Sequence, residues 1–160
     1  MMKNFSAKQI AMGGMIAALY VALTWLANLV GLASGAVQVR VSEALTILPC
    51  LTVSAVPGLT IGCVLANILT GCAPWDVVFG SLATLLGALG TRALRKTPQL
   101  AWIPPVVANT VIVPFVLMWV YGAQEAWWFL ALTVGAGELI SCGLLGLLLY
   151  GPAKKIIPAD

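Results

Sequence analysis

A six-span, all-α integral membrane bundle is the fold class that this sequence predicts, and three observations predict it. Of the 160 residues, 61% are hydrophobic and only 8% are charged, against about 25% charged in ordinary soluble domains. A soluble chain so apolar lacks the polar residues to cover its own surface, whereas a bilayer accepts that surface and obliges the backbone to satisfy itself in helices. The mean hydropathy of +1.04 agrees. Second, apolar stretches of helix length follow one another with short connections. Third, the basic residues gather as Lys3/Lys8, Arg92/Arg95/Lys96 and Lys154/Lys155, with Arg40 apart, and the net charge is +3. Clusters this small do not build a nucleic-acid surface, so no nucleic-acid partner is expected. They are the orientation signals of membrane insertion.

The elements follow in order. The first helix covers residues 7–32, enters through Lys8 and is rich in small residues. It is too long for a secretory signal and no A-x-A-like site ends it, so it is expected to be retained. Residues 36–42 alternate apolar and polar side chains, the period of an extended segment. Residues 43–71 form a nearly continuous apolar run interrupted at Pro57-Gly58. Further spans cover residues 77–93, residues 102–121 with Pro104, Pro105 and Pro114 in or at the entry, and residues 127–150.

The run 43–71 counts as one span or two, and charge parity decides between them. With a turn at Pro57-Gly58, all three basic clusters fall on one side. The connections at residues 30–39, 71–76 and 122–126 then fall on the other, and they hold no Lys or Arg. Only the six-span count obeys the positive-inside rule at each cluster. The prediction is a single six-helix transmembrane domain over residues 1–160, N-in and C-in, multi-pass in the cell membrane. Each half of the run is about 14 residues, roughly 21 Å of helix. Short, Pro/Gly-interrupted spans are where transporters tend to build ligand sites.

Polar groups inside a membrane are costly, so each is a candidate functional residue. They are Arg40, Glu43, Asn67, Asp76, Asn109 and Glu138. Glu138 lies about 11 residues, roughly 17 Å, beyond Trp127, near mid-bilayer, and shares a helical face with Gly135, Cys142 and Gly146. A protonated carboxyl bonded to a neighbouring helix is the plainer reading of it. Arg40 and Glu43, at i and i+3, can simply pair with each other. Asn109 fits an interhelical hydrogen bond as well as a ligand contact. Trp75, Trp127 and Trp128 fall near outer helix ends, where interfacial anchoring accounts for them. Most of the polar groups lie at or above mid-membrane on the outer side, which predicts a pocket opening outward.

In the first helix, Gly14 and Ala18 are four apart, with Ala7/Ala11 and Ala18/Ala22 repeating the spacing, a pattern that lets another helix approach closely. The chain has no G-x-x-x-x-G-K-[ST], G-x-S-x-G or H-E-x-x-H, no histidine, and four cysteines without C-x-x-C spacing. No P-loop nucleotide site, catalytic apparatus, cofactor or metal site is expected, and uphill import requires partners.

The chain resembles the substrate-specificity (S) components of energy-coupling factor (ECF) transporters, and among them the QueT family of proposed queuosine-precursor importers. The resemblance rests on Gln38-Val-Arg40-Val-Ser42-Glu43-Ala-Leu45, Pro57-Gly-Leu-Thr-Ile-Gly62-Cys-Val-Leu-Ala66-Asn67, Asp76-Val-Val-Phe79-Gly80-Ser81-Leu-Ala-Thr84-Leu and Gly135-Ala-Gly137-Glu138-Leu-Ile. It implies a subunit that captures queuine or its aminomethyl precursor outside and docks on a transmembrane coupling subunit served by two ATPases. Gly14 and Ala18 fall on the docking face, with Gly where Ala is more usual. A deazaguanine offers adjacent N–H donors to one carboxylate and a cationic amine to another. Glu43 or Glu138 on the base edge, Asp76 on the amine, Asn67 completing the base contacts, and Trp75 or Trp127 stacking on the ring is the implied arrangement. The competing readings are an S component for another planar nitrogenous vitamin, an accessory membrane subunit whose acids only join helices, and an intramembrane enzyme using Glu43 and Glu138.

Overall fold

The structure, a computed structural model, describes residues 6–31 and 39–157, and among them every regular element is helical. Lys3 and residues 36–38 of the expected extended stretch lie outside the described residues. Helix α1 spans Ala7–Leu29. It begins at a capping box: the Ser6 hydroxyl accepts from Gln9 N at 3.3 Å and the Gln9 side chain accepts from Ser6 N at 3.0 Å. Two otherwise unpaired end donors are satisfied there.

Val41–Cys50 is not extended but a ten-residue 3-10 helix, buried from Ser42 onward. Such helices rarely exceed 3–4 residues, and ten of them rise roughly 20 Å. This element runs through the middle of the bundle, touching α1, α2 (Ala55–Leu69), α3 (Pro74–Ala93) and the last helix. The chain reverses at residues 51–54, so the expected turn at Pro57-Gly58 is misplaced: both residues lie in the first turn of α2. A proline there sacrifices no hydrogen bond, because first-turn N–H groups have no helical partner. Gly58 serves a different need. A Cβ on it would stand 2.7 Å from Gly13 O, and one on Gly62 would stand 2.9 Å from Tyr20 Cβ and 3.0 Å from Ala17 O. Gly58 and Gly62 are thus the small face by which α2 lies directly on α1.

Helix α3 packs on α4 (Ile103–Trp119) in the same way, with Gly87 and Gly90 against Pro105 and Pro104. The final rod is a continuous helical stretch, Trp127–Ile156. It comprises α5 (Trp127–Glu138), a π-helical segment (Leu139–Leu145) and α6 (Gly146–Ile156). Among the described residues, three stretches are long and apolar enough to cross a membrane: Ala7–Leu29, Pro98–Trp119 and Trp127–Ile156. The exterior is correspondingly apolar. Trp119, Leu132 and Leu148 face outward, while Glu43, Thr46, Thr84, Thr91 and Asn109 are buried. A water-soluble fold arranges these classes the other way round, and a membrane protein is the class consistent with the surface.

The two ends differ. At one, Lys8, Thr52, Ser54 and Ile157 line a shared groove and Arg92 donates to Pro49 O at 3.1 Å. At the other, the chain turns at Gly31, Gly71 and Gly122, each with φ near +70° (75°, 76° and 68°), a conformation glycine adopts without penalty. Lys8 and Arg92 belong to the first end and the candidate site to the second.

Candidate functional site

A cavity of about 380 Å³ opens at the glycine-turn end. Its polar wall comes from five elements: Tyr20 and Thr24 of α1, Arg40 and Ser42 at the start of the 3-10 helix, Asn67 of α2, Asp76 of α3, and Tyr121 just after α4. Val113, Val116 and Leu117 supply the apolar side. This is the usual make-up of a small-molecule site, an apolar surface with a few convergent polar groups.

Asp76 occupies the first turn of α3, after Pro74, where the N-terminal end of the helix dipole favours an anion. It is 6% exposed. The Tyr121 hydroxyl donates to Asp76 Oδ2 at 2.8 Å and accepts from Ala73 N at 3.1 Å, which fixes the carboxylate from outside. Partial burial, and after it the Asp76 carboxylate, push the Tyr121 phenol up to about 12. Gly80 keeps the opposite side open, for a Cβ on it would lie 3.2 Å from Asn67 Nδ2 and 3.4 Å from Asp76 Oδ1. Asn67 is anchored through its backbone, its carbonyl accepting from Cys72 N at 2.9 Å.

Glu43 and Glu138 do not line this cavity. Glu43 is 0% exposed and Glu138 4%; they form a buried layer beneath it. Glu43 accepts from the Tyr20 hydroxyl, so Tyr20 stands between the cavity and the acids. No ion pair joins Arg40 to Glu43 among the described residues. Arg40 instead precedes the 3-10 helix and lines the cavity. Glu138 ends α5, where the winding loosens into the π segment, a geometry often found at functional positions. The predicted small face of this rod is real. Gly135 meets Thr110, Gly146 meets Ala44 O, and the Cys142 thiol donates to Glu138 Oε2 at 3.1 Å. Asn109, 1% exposed, stands beside Glu138, a contact between α4 and α5.

Of the predicted residues, then, Arg40, Asn67 and Asp76 share the cavity wall, and Glu43, Glu138 and Asn109 form the layer below. Trp75 and Trp127 join neither. Trp75 stacks on Phe79 and Trp127 packs against Phe115, both on the exterior. An indole at the first turn of its helix points outward here, because the inward position of that turn is taken by Asp76 in α3 and by Leu130 in α5. Tyr20, Thr24, Ser42 and Tyr121 were not legible as site residues. They are common in apolar helices, and only the convergence of five elements separates them from anchors. Gly14 is exposed, with nothing within 4 Å of where its Cβ would be, and Ala18 is exposed beside it. The inward small face of α1 is offset by one residue, at Gly13 and Ala17.

The class the fold and surface define is a helical membrane protein with a polar cavity of small-molecule size. The particular family follows from the sequence: residues 10–155 match the family described as QueT transporter, nearly the whole chain, and the chain belongs to that family. No curated protein and no solved structure matches it.

Proposed function

We propose that this chain is the S component of an ECF-type importer and binds a queuosine precursor, queuine or its aminomethyl form, in the cavity at the glycine-turn end. Family membership supports transport. The observation that carries the ligand reading is the cavity of about 380 Å³ with Asp76, Asn67 and Arg40 on its wall. Asp76 accepts the adjacent N–H donors of the base. Arg40 and Asn67 donate to its carbonyl, and Tyr20 or Tyr121 gives the ring an aromatic face. Glu43 acts through Tyr20, whose hydroxyl it holds at the cavity wall.

In this reading the whole chain is one domain of six spans, N-in and C-in, in the cell membrane. The 3-10 helix and α2 are its two short spans, and the cavity faces outside. The gathering of Lys8, Arg92 and the C-terminal turn at the opposite end supports that orientation. The exposed Gly14/Ala18 face is the surface offered to a transmembrane coupling subunit, whose two ATPases supply the work.

Isothermal titration of the detergent-solubilised protein tests the ligand, since no tryptophan lines the cavity to report binding. One saturable site for a deazaguanine is expected, weakened roughly 10- to 150-fold in Asp76→Asn by loss of a charged hydrogen bond worth about 1.5–3 kcal/mol. Guanine, thiamine and folate serve as controls. Binding of thiamine or folate instead of either deazaguanine moves the reading to another planar vitamin, and a folded protein that binds none of them ends it.

A further inference from the structure

Glu43, Glu138 and Cys142 come from segments nearly a hundred residues apart, yet each offers a ligand atom within 4.8 Å of the other two. All three are buried, at 0%, 4% and 1% exposure. Two carboxyl groups this close and this dry cannot both carry a bare negative charge, and something must sit between them. Their present partners are insufficient. Tyr20 serves one oxygen of Glu43, and the other, Oε2, has no hydrogen-bond partner. Asn109, on α4 and 1% exposed, stands beside Glu138. These three residues do not line the cavity at the glycine-turn end, and a single ion needs no space of that size.

We propose that Glu43, Glu138 and Cys142 form a binding site for one divalent transition-metal cation of the zinc type. The donor set is two hard oxygens and one soft sulfur, which suits Zn²⁺ or Co²⁺ better than Ca²⁺ or Mg²⁺. Binding replaces the Cys142 S–H, now donated to Glu138, by a metal–sulfur bond, and releases to solvent both that proton and the one the two carboxyls share. Two carboxylates and a thiolate then face a divalent ion and the Arg40 guanidinium, whose field reaches both glutamates, and the layer carries no net charge. The surrounding shell is already built. Thr46 Oγ1 lies 3.4 Å from Cys142 Sγ, and the loosened π winding holds Glu138 and Cys142 on the side facing the 3-10 helix. The ion would pin that helix to the final rod and, through Glu43, fix Tyr20 on the cavity wall. The site is independent of which ligand the cavity takes.

The test uses the full chain purified from metal-defined medium, stripped with chelator and titrated with Co²⁺ and Zn²⁺. One equivalent per chain is expected, with a sulfur-to-cobalt charge-transfer absorption that Zn²⁺ displaces. Binding should tighten as pH rises, because protons leave. Cys142→Ser should abolish the absorption and weaken binding by at least the roughly 10- to 100-fold that loss of a supporting group costs a metal site. Glu138→Gln should weaken it comparably. Cys63→Ser, a buried thiol outside the trio, controls for general damage and should retain binding. No stoichiometric uptake by the folded wild-type chain overturns the proposal and leaves a shared proton between the carboxyls. So does uptake indifferent to Cys142→Ser.

Discussion

Substituting Gly62 by Ala adds one methyl where α2 lies on α1, and the consequence can be worked from three distances. The new Cβ would stand 2.9 Å from Tyr20 Cβ and 3.0 Å from both Cα and O of Ala17. Carbon atoms prefer about 3.5–4.0 Å, so α1 must recede by roughly half an ångström or more. Two of the three obstacles are backbone, which no rotamer change relieves. Overpacking of this kind costs about 1–3 kcal/mol, against which alanine recovers just under 1 kcal/mol of helix propensity. The net is about 0–2 kcal/mol, or a melting temperature lower by up to roughly 8 °C for a chain of this size. The shift also carries Tyr20 away from Glu43, so the cavity wall changes and ligand affinity falls with stability. Thermal unfolding in detergent, followed by circular dichroism, reads the first effect and calorimetric titration the second. Gly14→Ala is the control, being the same chemistry on α1 with nothing within 4 Å. If Gly62→Ala melts and binds like Gly14→Ala, the close approach of α1 and α2 is wrong.

Other expectations are more direct. Gly80→Ala places a methyl 3.2 Å from Asn67 Nδ2 and 3.4 Å from Asp76 Oδ1, and should lower ligand affinity several-fold with little change in melting temperature. Tyr121→Phe removes the hydrogen bond that holds Asp76 and should weaken binding by about 1 kcal/mol, roughly fivefold. Because the phenol is pushed up to about 12, it stays protonated where an ordinary tyrosine ionises near 10. Its contribution is therefore complete below about pH 10 and fades between about 10 and 12, and wild-type affinity measured by titration should be flat from pH 7 to 9.5 as far as this group decides it. Gly14→Leu together with Ala18→Leu, on the open face of α1, should leave ligand binding intact and reduce co-purification with the coupling subunit. Unchanged co-purification would remove that face from the docking surface.

Much of this was written in the chain itself. An apolar fraction of 61% decides the solvent, and helices follow because lipid leaves the backbone no other partner. The same cost of polarity made Arg40, Asn67, Asp76, Asn109, Glu43 and Glu138 stand out before any coordinates. What sequence could not settle is which of them meet. Pro57-Gly58 looks like a turn locally, but Gly58 and Gly62 are needed small by α1, and that demand arises only once two helices touch. The 3-10 winding of Val41–Cys50 carries no local signal, since neither its apolar pattern nor its single Pro49 distinguishes it from an α-helix, and it sets where Glu43 points. Gly13/Ala17 and Gly14/Ala18 carry the same motif one residue apart, and only the packing says which face is inside. Cys142 and Glu43 are separated by 99 residues; spacing rules for metal ligands read neighbours along the chain and are blind to a pair that the fold brings together. The sequence determined which groups are too costly to be idle in a membrane, because that cost belongs to the side chain and the solvent. Their partners were decided by tertiary structure, because contact is a property of two surfaces at once.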